Sequence, residues 1–408
     1  MEMHTYTHLV EPSKDQRKKQ APYSKQEEKN RQMKTRQRGR QDRERLRKDE
    51  KKGSVVGLAN QEACPEFVAK KGKCKPFSFV LFVLLPTHTH TLTHTHTHSL
   101  SHTLSHTLSV TVSMSEHTMH CVVTGGNRGI GLAICKALVK ASKHNVVWMG
   151  ARNAALAEKE FLLHSNQDDW DNRLRVLPLD VTSQESVEAA AKQLKDHDVQ
   201  VSVLINNAGV ALDLPWSQGK PTAETCTTTM AVNVAGVQRV FHAMRPLLAE
   251  RARVVAVSSG AGPLNMEKMS DARQKALLAD DLREDTIDGL VAEFCAEYKQ
   301  AVEDDSCTLP CASPSGWWLQ AYGFSKAVVN ALTRIWARDH PELHITCCTP
   351  GLVDTDMVAS YKGDSKKKSP QEGAATPVWL ATAPATEVQT GCFYGNGNTL
   401  KPWVGYQS

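Results

Sequence analysis

The chain has 408 residues, of which 40% are hydrophobic, and its 49 Lys and Arg against 44 Asp and Glu give a formal net charge of +5. This length accommodates one large domain or two ordinary ones. A strongly apolar run, Phe77 to Leu85, is shorter than the roughly 20 residues that span a bilayer. We therefore expect no role inside a membrane.

The excess of positive charge is confined to the first part of the chain. Between Glu11 and Lys52 there are 17 Lys and Arg against 8 Asp and Glu, which leaves 32 against 36 elsewhere. A segment this polar buries too little apolar surface to fold alone. A nucleic-acid or nuclear-import tail would have this composition. The simpler interpretation is a solvated, disordered stretch, and we expect no nucleic-acid partner.

A histidine-rich tract follows, from Thr87 to His98 and on to His106. Alternate histidines on an extended chain could bind a transition metal. A CA-dinucleotide repeat read in frame also encodes alternating Thr and His, and because this origin is simpler we expect no metal site. We interpret residues 1–113 as a low-complexity leader, disordered or wrongly included in the chain, and residues 114–408 as the folded domain.

A glycine-rich turn follows the first predicted strand, His120 to Val123. Apolar residues recur at helical spacing from Leu132 to Val139, so the turn joins a strand to a helix. Gly125 permits the tight turn, Gly129 lets the backbone approach a phosphate, and Gly131 lets the helix pack close to the strand. This turn is predicted to hold a pyrophosphate on free helix N–H groups. A loop that merely needs positive φ is the alternative.

Arginines occupy the positions expected to meet the adenosine ribose. The second predicted strand, Val146 to Met149, is followed by Arg152, and Arg128 lies in the glycine turn. An NAD-binding site usually carries an acidic residue after this strand, for the ribose 2′-hydroxyl. Two guanidinium groups instead suit a 2′-phosphate in charge and geometry. We predict NADP(H) as the cofactor, with two solvated surface arginines as the alternative.

Short apolar strands alternate with helical stretches over the rest of the chain, which predicts right-handed βαβ units. The expected fold class is α/β, with a single Rossmann-type, doubly wound parallel sheet covered by helices on both faces. The predicted helices include Gln184–Lys195 and Ala231–Glu250. The predicted strands are Cys121–Val123, Val146–Met149, Leu174–Leu179, Val201–Ile205, Val254–Val257, His344–Cys348 and Cys392–Tyr394.

Tyr322 and Lys326 are four residues apart and share one face of a predicted helix. A lysine cation near a phenol favours the phenolate and so lowers the tyrosine pKa toward a range useful for proton transfer. This spacing is common on exposed helices. The glycine turn upstream is what favours the catalytic interpretation.

These motifs occur in the order found in the short-chain dehydrogenase/reductase family, which the chain resembles from about His120 to Trp403. The resemblance extends to the vertebrate NADPH-dependent carbonyl reductases. It implies hydride transfer between a nicotinamide and a carbonyl. The matching motifs are Thr124-Gly125-x-x-x-Gly129-x-Gly131, Asn206-Asn207-Ala208-Gly209, Ser258-Ser259, Tyr322-x-x-x-Lys326 and Pro350-Gly351.

The resemblance implies a role for each of four side chains. Tyr322 donates a proton to the carbonyl oxygen, and Ser259 hydrogen-bonds the same oxygen. Lys326 lowers the pKa of Tyr322 and holds the nicotinamide ribose, and Asn233 holds a water that resupplies the proton. Taken singly, a serine after a strand is more often a turn or helix cap, and such an asparagine a satisfied helix bend.

The resemblance also implies the cofactor contacts. In folds of this kind the ligand binds in the crevice at the carboxyl ends of the parallel strands. The residues implied are Gly125, Asn127, Arg128, Gly129, Ile130, Gly131, Arg152, Asp180, Val181, Asn206, Asn207, Ala208, Tyr322, Lys326, Val353 and Thr355.

The segment between Ser259 and Tyr322 is longer than in most members of that family. Apolar residues spaced among acidic ones in this insert predict an amphipathic helical hairpin. Monomeric carbonyl reductases carry such an insert over the face that tetrameric relatives use to assemble, so we expect a monomer. A surface element without bearing on assembly is the alternative.

The expected reaction is reduction of quinones, ketones or aldehydes to alcohols, with the substrate bound by Ser259, Trp318 and Tyr322. Trp317 and Trp318, just before the predicted catalytic helix, indicate an apolar, aromatic-lined pocket. The alternative is that one or both tryptophans anchor the insert. A steroid, prostaglandin or retinoid dehydrogenase on the same fold is the alternative function.

The chain has 11 cysteines, and none shows paired C-x-x-C spacing. Cys347 and Cys348 lie on a predicted buried strand, where cysteine acts as a small core residue. With no usable signal peptide, we expect free thiols and a cytoplasmic location.

Overall fold

An eight-stranded sheet organises the computed structural model, which describes residues 118–164, 172–217, 219–304 and 307–405. The predictions for the leader, including its disorder and its boundary at residue 113, lie outside these ranges. The strands run in the spatial order β3-β2-β1-β4-β5-β6-β7-β8. They are β1 Met119–Val123, β2 Asn145–Ala151, β3 Leu174–Pro178, β4 Val201–Asn206, β5 Leu248–Val257, β6 His344–Cys348, β7 Phe393–Gly395 and β8 Thr399–Leu400.

Strands β1 to β7 pair in parallel, and only the short β8 is antiparallel to its neighbour among the described strands. The predicted doubly wound parallel sheet is therefore confirmed, with β8 as a small antiparallel edge. Strand order reverses between β1 and β4, which creates a crevice at the carboxyl ends of these two strands.

Helices cover both faces of the sheet. Consecutive residues of β1 show why, since Cys121 and Val123 are buried in one apolar cluster and Val122 in the other. A strand buried on both sides reads as a continuous apolar run. The helices are α1 Gly129–Ala141, α2 Ala154–His164, α3 Gln184–Asp196, α4 Ala223–Met230, α5 Gly236–Met244, α6 Ala261–Glu267, α7 Asp271–Leu278, α8 Glu284–Glu303, α9 Ala321–Asp339 and α10 Pro370–Thr382.

The predicted helical insert is confirmed as α7 and α8. Its apolar face packs on α9: the ring of Phe294 stacks on Phe324 with centroids 3.8 Å apart, and Trp317 meets Phe324 edge-on at 5.2 Å. All three side chains are fully buried. Cys295 of α8 also contacts Cys226 of α4, with the two sulfur atoms 3.3 Å apart. The insert is thus part of the core and covers the outer faces of α4 and α9.

The prediction of one helix over Ala231–Glu250 is wrong at both ends. Residues Ala231–Ala235 form a turn of π-helix that continues α4, and α5 ends at Met244. Pro246 then lies in a short 3-10 turn, because proline cannot continue the α-helical hydrogen bonds. Strand β5 begins at Leu248, its pairing with β4 shifts register before Arg253, and its first four residues are not buried, unlike those of a central strand.

The cysteine predictions are confirmed in part. Cys347 and Cys348 are fully buried on β6. The expectation of free thiols is wrong for Cys307 and Cys311, which are joined by a disulfide. Their C-x-x-x-C spacing is one residue longer than the C-x-x-C pattern. Within the described ranges, no helix is long and apolar enough to cross a bilayer.

Candidate active site

Tyr322 and Lys326 lie in the first two turns of α9, and both side chains are buried. The ammonium nitrogen of Lys326 is 5.8 Å from the centre of the Tyr322 ring. It donates a hydrogen bond of 2.9 Å to the carbonyl oxygen of Val257, at the end of β5. Burial lowers the pKa of Lys326 to about 8, because the charged form loses its solvation. The predicted pair is therefore brought together at the carboxyl end of the sheet.

Ser259 and Ser258 follow β5 and point in different directions. The Ser259 hydroxyl is close enough to the Tyr322 phenol to act on its pKa, and its Oγ also accepts a hydrogen bond from Ala261 N at 3.2 Å. The hydroxyl of Ser258 instead donates to Asn330 Oδ1 of α9 at 2.7 Å and is buried. Only Ser259 is thus available beside the phenol.

The electrostatics of Tyr322 differ from expectation. Burial raises the pKa of Tyr322, and the hydrogen bond with Ser259 acts in the opposite direction but does not cancel the effect. The prediction that Lys326 holds this pKa down is wrong for this arrangement. The ammonium group is turned to the carbonyl of Val257, so desolvation dominates.

Asn233 lies in the π-helical turn and joins the loop after β4 to α9. Its Nδ2 donates to Val210 O at 2.8 Å and to Ser325 Oγ at 3.0 Å, and its Oδ1 accepts from Val210 N at 2.9 Å. A Cβ placed on Gly209 would lie 3.3 Å from Asn233 Oδ1 and 3.6 Å from Lys326 Nζ. Asn233 therefore lies beside the lysine, and its Oδ1 keeps one lone pair after the bond to Val210.

The glycine turn has the geometry of a phosphate cradle. Gly125 and Gly129 adopt positive φ of 62° and 53°. A Cβ on Gly131 would lie only 2.2 Å from Gly125 O and 2.5 Å from Asn207 Nδ2. Helix α1 begins at Gly129 with no side-chain cap and no acidic residue in its first turn. Its N–H groups are open to an anion, so these residues fit the pyrophosphate of a dinucleotide.

Sequence reasoning assigned no function to Thr124, yet it fixes this turn. Its Oγ1 accepts hydrogen bonds from the backbone N–H groups of Asn207 at 3.0 Å and Ala208 at 2.9 Å. Asn207 Nδ2 donates to Thr124 O at 2.9 Å. The neighbouring Asn206 is buried, and its amide has no hydrogen-bond partner among the described residues. The ends of β1 and β4 are therefore locked together beside an unsatisfied amide.

The two arginines lie at the outer side of the crevice, and both are exposed. Arg128 makes a 2.9 Å ion pair with Asp356, and both side chains are largely exposed to solvent. Arg152 follows β2 and faces Asp180, which follows β3. Burial raises the pKa of Asp180, but hydrogen bonds from Thr182 and the charge of Arg152 outweigh it and leave that pKa lowered.

The remaining predicted cofactor residues surround the same crevice. Val353 is buried after β6, and Thr355 Oγ1 donates to its carbonyl oxygen at 3.3 Å. Thr355 Cγ2 would lie 3.2 Å from a Cβ on Gly129, so the loop after β6 reaches the glycine turn. Asn127 and Ile130 are half-buried in that turn, and Val181 is buried after β3.

The two tryptophans predicted to line the substrate pocket have different environments. Trp317 is fully buried against α8 and α9, so it anchors the insert, as the alternative interpretation held. Trp318 is half-buried, with the ammonium of Lys268 4.6 Å from its ring centre. Trp216 and Tyr361 meet edge-on at 4.8 Å and connect the loop after β4 to the loop after β6.

Comparison with known proteins shows the family to which the chain belongs. A family model described as short chain dehydrogenase matches residues 119–271. The (+)-neomenthol dehydrogenase of Arabidopsis thaliana is 31% identical over 304 residues, which cover 69% of this chain and 97% of that protein. The chain belongs to the short-chain dehydrogenase family. It is therefore an oxidoreductase.

Further relatives share the same region. Carbonyl reductase [NADPH] 1 of Homo sapiens is 31% identical over 277 residues, covering 66% of this chain and 93% of that protein. The solved structure of salutaridine reductase from Papaver somniferum is 27% identical with a TM-score of 0.58, and covers 68% of this chain and 99% of that one.

Proposed function

We propose that this protein reduces carbonyl compounds to alcohols with NADPH. The observation that carries the proposal is the grouping of Tyr322, Lys326 and Ser259 at the edge of the sheet that also holds the glycine turn: the Lys326 ammonium group is 5.8 Å from the centre of the Tyr322 ring, and the Ser259 hydroxyl lies beside the phenol. Relatives described as carbonyl reductases support the reaction class.

The reduced nicotinamide, when bound, supplies a hydride to the carbonyl carbon. Ser259 donates a hydrogen bond to the carbonyl oxygen as negative charge develops there. Tyr322 transfers its phenolic proton to the same oxygen. Because burial raises the pKa of Tyr322, the phenol stays protonated at neutral pH and is ready to act as the acid in the reductive direction.

Lys326 and Asn233 complete the proposed machinery. With a pKa of about 8, Lys326 is mostly charged at neutral pH and can hold ribose hydroxyls. Asn233 keeps one Oδ1 lone pair beside the lysine, which suits a water that returns a proton to Tyr322 after each turnover.

The direct test uses the Tyr322→Phe variant with menadione as substrate. Loss of turnover with NADPH affinity retained, measured by NADPH fluorescence titration, is the expected result, because only the acid is removed. A Tyr322→Phe enzyme with wild-type kcat would overturn the assignment of the proton donor.

The preference for NADPH is proposed to depend on Arg128 and Arg152. The exposed ion pair between Arg128 and Asp356 contributes little, about 0–1 kcal/mol, so a 2′-phosphate can replace Asp356. Arg152→Ala should weaken NADPH binding and leave NADH binding unchanged. Arg175→Ala is the matched control, since Arg175 donates to Asn172 O on the amino-terminal side of β3. An equal loss of affinity for NADPH and for NADH in Arg152→Ala would contradict the proposal.

The substrate class is proposed to be quinones and other aromatic or aliphatic ketones and aldehydes. A steroid, prostaglandin or retinoid dehydrogenase is the second candidate, and the neomenthol dehydrogenase relative extends it to cyclic terpenoid alcohols. Steady-state kinetics with a panel of carbonyl substrates at a fixed NADPH concentration separate the two candidate functions. Higher kcat/KM for menadione than for steroid and terpenoid ketones supports the first.

We also propose a cytoplasmic monomer. Phe294, Trp317 and Phe324 are buried in one cluster where the insert packs on α9, so the insert covers apolar surface that a second subunit would otherwise need to cover. Light scattering at micromolar concentration should give the mass of one chain. A stable tetramer would contradict the proposal.

A further inference from the structure

Asp213 is a buried carboxylate at the start of the catalytic helix. It lies in the loop after β4, with 7% of its surface exposed. Its Oδ1 accepts from Tyr322 N at 3.0 Å, and its Oδ2 accepts from Ala321 N and from the Tyr298 hydroxyl at 3.2 Å. Three elements therefore meet at one side chain: the loop after β4, the insert helix α8 and the first turn of α9.

Helix α9 has no other cap from its own sequence. Gln320, which precedes it, makes no side-chain capping bond, and the first turn contains no acidic residue. The first N–H groups of a helix lack partners within the helix and attract negative charge. Asp213 supplies that charge from another part of the chain. One of the two N–H groups it accepts from belongs to Tyr322 itself.

Burying a carboxylate is costly, and Asp213 shows this. Burial raises its pKa, although the N–H groups of Tyr322 and Ala321 and the hydroxyl of Tyr298 act to lower it. A neutral cap on α9 itself would avoid that cost. A cap supplied by the loop after β4 also has a positional effect that a cap within α9 would not have. It sets the position of the Tyr322 backbone relative to the strand end beside the glycine turn.

We propose that Asp213 is a positioning residue that fixes the first turn of α9 so that the Tyr322 phenol meets Ser259. The inference rests on the proposed role of Tyr322 as proton donor. An asparagine at this position would keep one acceptor but turn an N–H group toward the helix N–H groups. The turn would shift, and the phenol would lose its alignment with the hydroxyl of Ser259.

Asp213→Asn should lower kcat for menadione about 10- to 100-fold, where kcat is calculated from the concentration of NADPH-binding sites. The affinity for NADPH should stay within about twofold of wild type. Active sites are counted by NADPH fluorescence titration, so a loss of folded protein does not enter kcat. Ser270→Ala is the matched control because Ser270 caps α7 of the insert, away from Tyr322. It should lower the melting temperature and leave kcat unchanged.

A double-mutant cycle tests whether Asp213 acts through Tyr322. Asp213→Asn should slow the wild type but not slow the residual reaction of Tyr322→Phe any further, because no phenol is left to align. Equal losses in both backgrounds, or full kcat in Asp213→Asn, would overturn the inference while leaving the proton donor in place. If Asp213→Asn does not bind NADPH, Asp213→Glu, which keeps the charge, replaces it in the same cycle. Only an active Tyr322→Phe would overturn the proposed function itself.

Discussion

Two adjacent hydroxyl groups have different environments at the end of β5. Side chains that follow one another at a strand end project in opposite directions. The hydroxyl of Ser258 reaches Asn330 in the interior of α9, whereas Ser259 reaches the phenol of Tyr322 at the edge of the crevice. The sequence places the Ser-Ser pair after a strand, but which of the two serves the site depends on where α9 packs.

The Ser259→Ala substitution should therefore lower kcat about 10²- to 10³-fold, the range seen when one donor to a developing oxyanion is removed. NADPH affinity should not change, since Ser259 faces the phenol. Steady-state kinetics with menadione measure the effect. Ser258→Ala is the control, and it should instead cost about 1 kcal/mol of stability from the lost bond to Asn330. A larger kcat loss in Ser258→Ala would contradict the assignment.

Lys326 illustrates a conflict between function and stability at one residue. Burial lowers its pKa to about 8, against about 10.4 in an unfolded chain. Between these values the unfolded chain binds more protons, so the free energy of unfolding rises with pH across this window. Below pH 8, Lys326 is charged in both the folded and the unfolded protein. The cost of burying this charge then lowers the free energy of unfolding by its full amount.

Lys326→Met should accordingly be more stable relative to wild type at pH 7 than at high pH. The pH-dependent part of the difference amounts to about 3 kcal/mol across the whole window. Urea unfolding of both proteins at pH 7 and at about pH 9.5 should show about 2 kcal/mol of this change, because pH 9.5 is still below the unfolded pKa. A difference between the proteins that stays constant with pH would show that Lys326 is not desolvated as the structure indicates.

At the scale of elements, the sequence predicts the central strands well and the segments around Asn233 and β5 poorly. Apolar runs such as His344–Cys348 are buried on both faces, so composition alone defines them. The π-helical turn at Ala231–Ala235 contains Asn233, whose hydrogen bonds reach Val210, a residue distant in sequence. Asp213 is in the same class, because it lies outside the Asn206-Asn207-Ala208-Gly209 motif that begins its loop, and its partners come together only when α9 and α8 pack against it.

The glycine turn offers a test of an element that the sequence did predict. Gly131→Ala places a Cβ within 2.2 Å of Gly125 O, so the backbone must move. We expect a loss of about 1–3 kcal/mol in the free energy of unfolding, together with weaker NADPH binding. Urea unfolding and NADPH fluorescence titration measure the two effects.

Gly289→Ala provides the matched control within α8. Nothing lies within 4 Å of a Cβ at this helical position, so alanine should raise stability by about 0.5–1 kcal/mol and leave NADPH binding unchanged. Similar behaviour of the two variants would mean that the close approach of Gly131 to Gly125 does not shape the turn.

At the scale of the whole molecule, the site is assembled from distant parts of one chain at one edge of the sheet. The loops after β1, β4, β5 and β6 contribute Thr124, Asn207, Ser259 and Thr355, and α9 contributes Tyr322. Thr124 and Asn207 are held by hydrogen bonds between the ends of β1 and β4. The basic segment between residues 11 and 52 contributes none of the proposed catalytic groups.

Residues 114–408 alone should therefore reduce menadione with kcat and NADPH affinity within about twofold of the full chain, because no proposed site residue lies before the first strand. The full chain carries the excess of Lys and Arg, so it would bind duplex DNA more tightly than residues 114–408, and with a steeper salt dependence, if the leader were a nucleic-acid tail. Equal, weak DNA binding by both proteins would instead leave the reductase fold as the functional part. A truncated protein that folds but loses turnover would contradict the view that the crevice at the sheet edge is complete by itself.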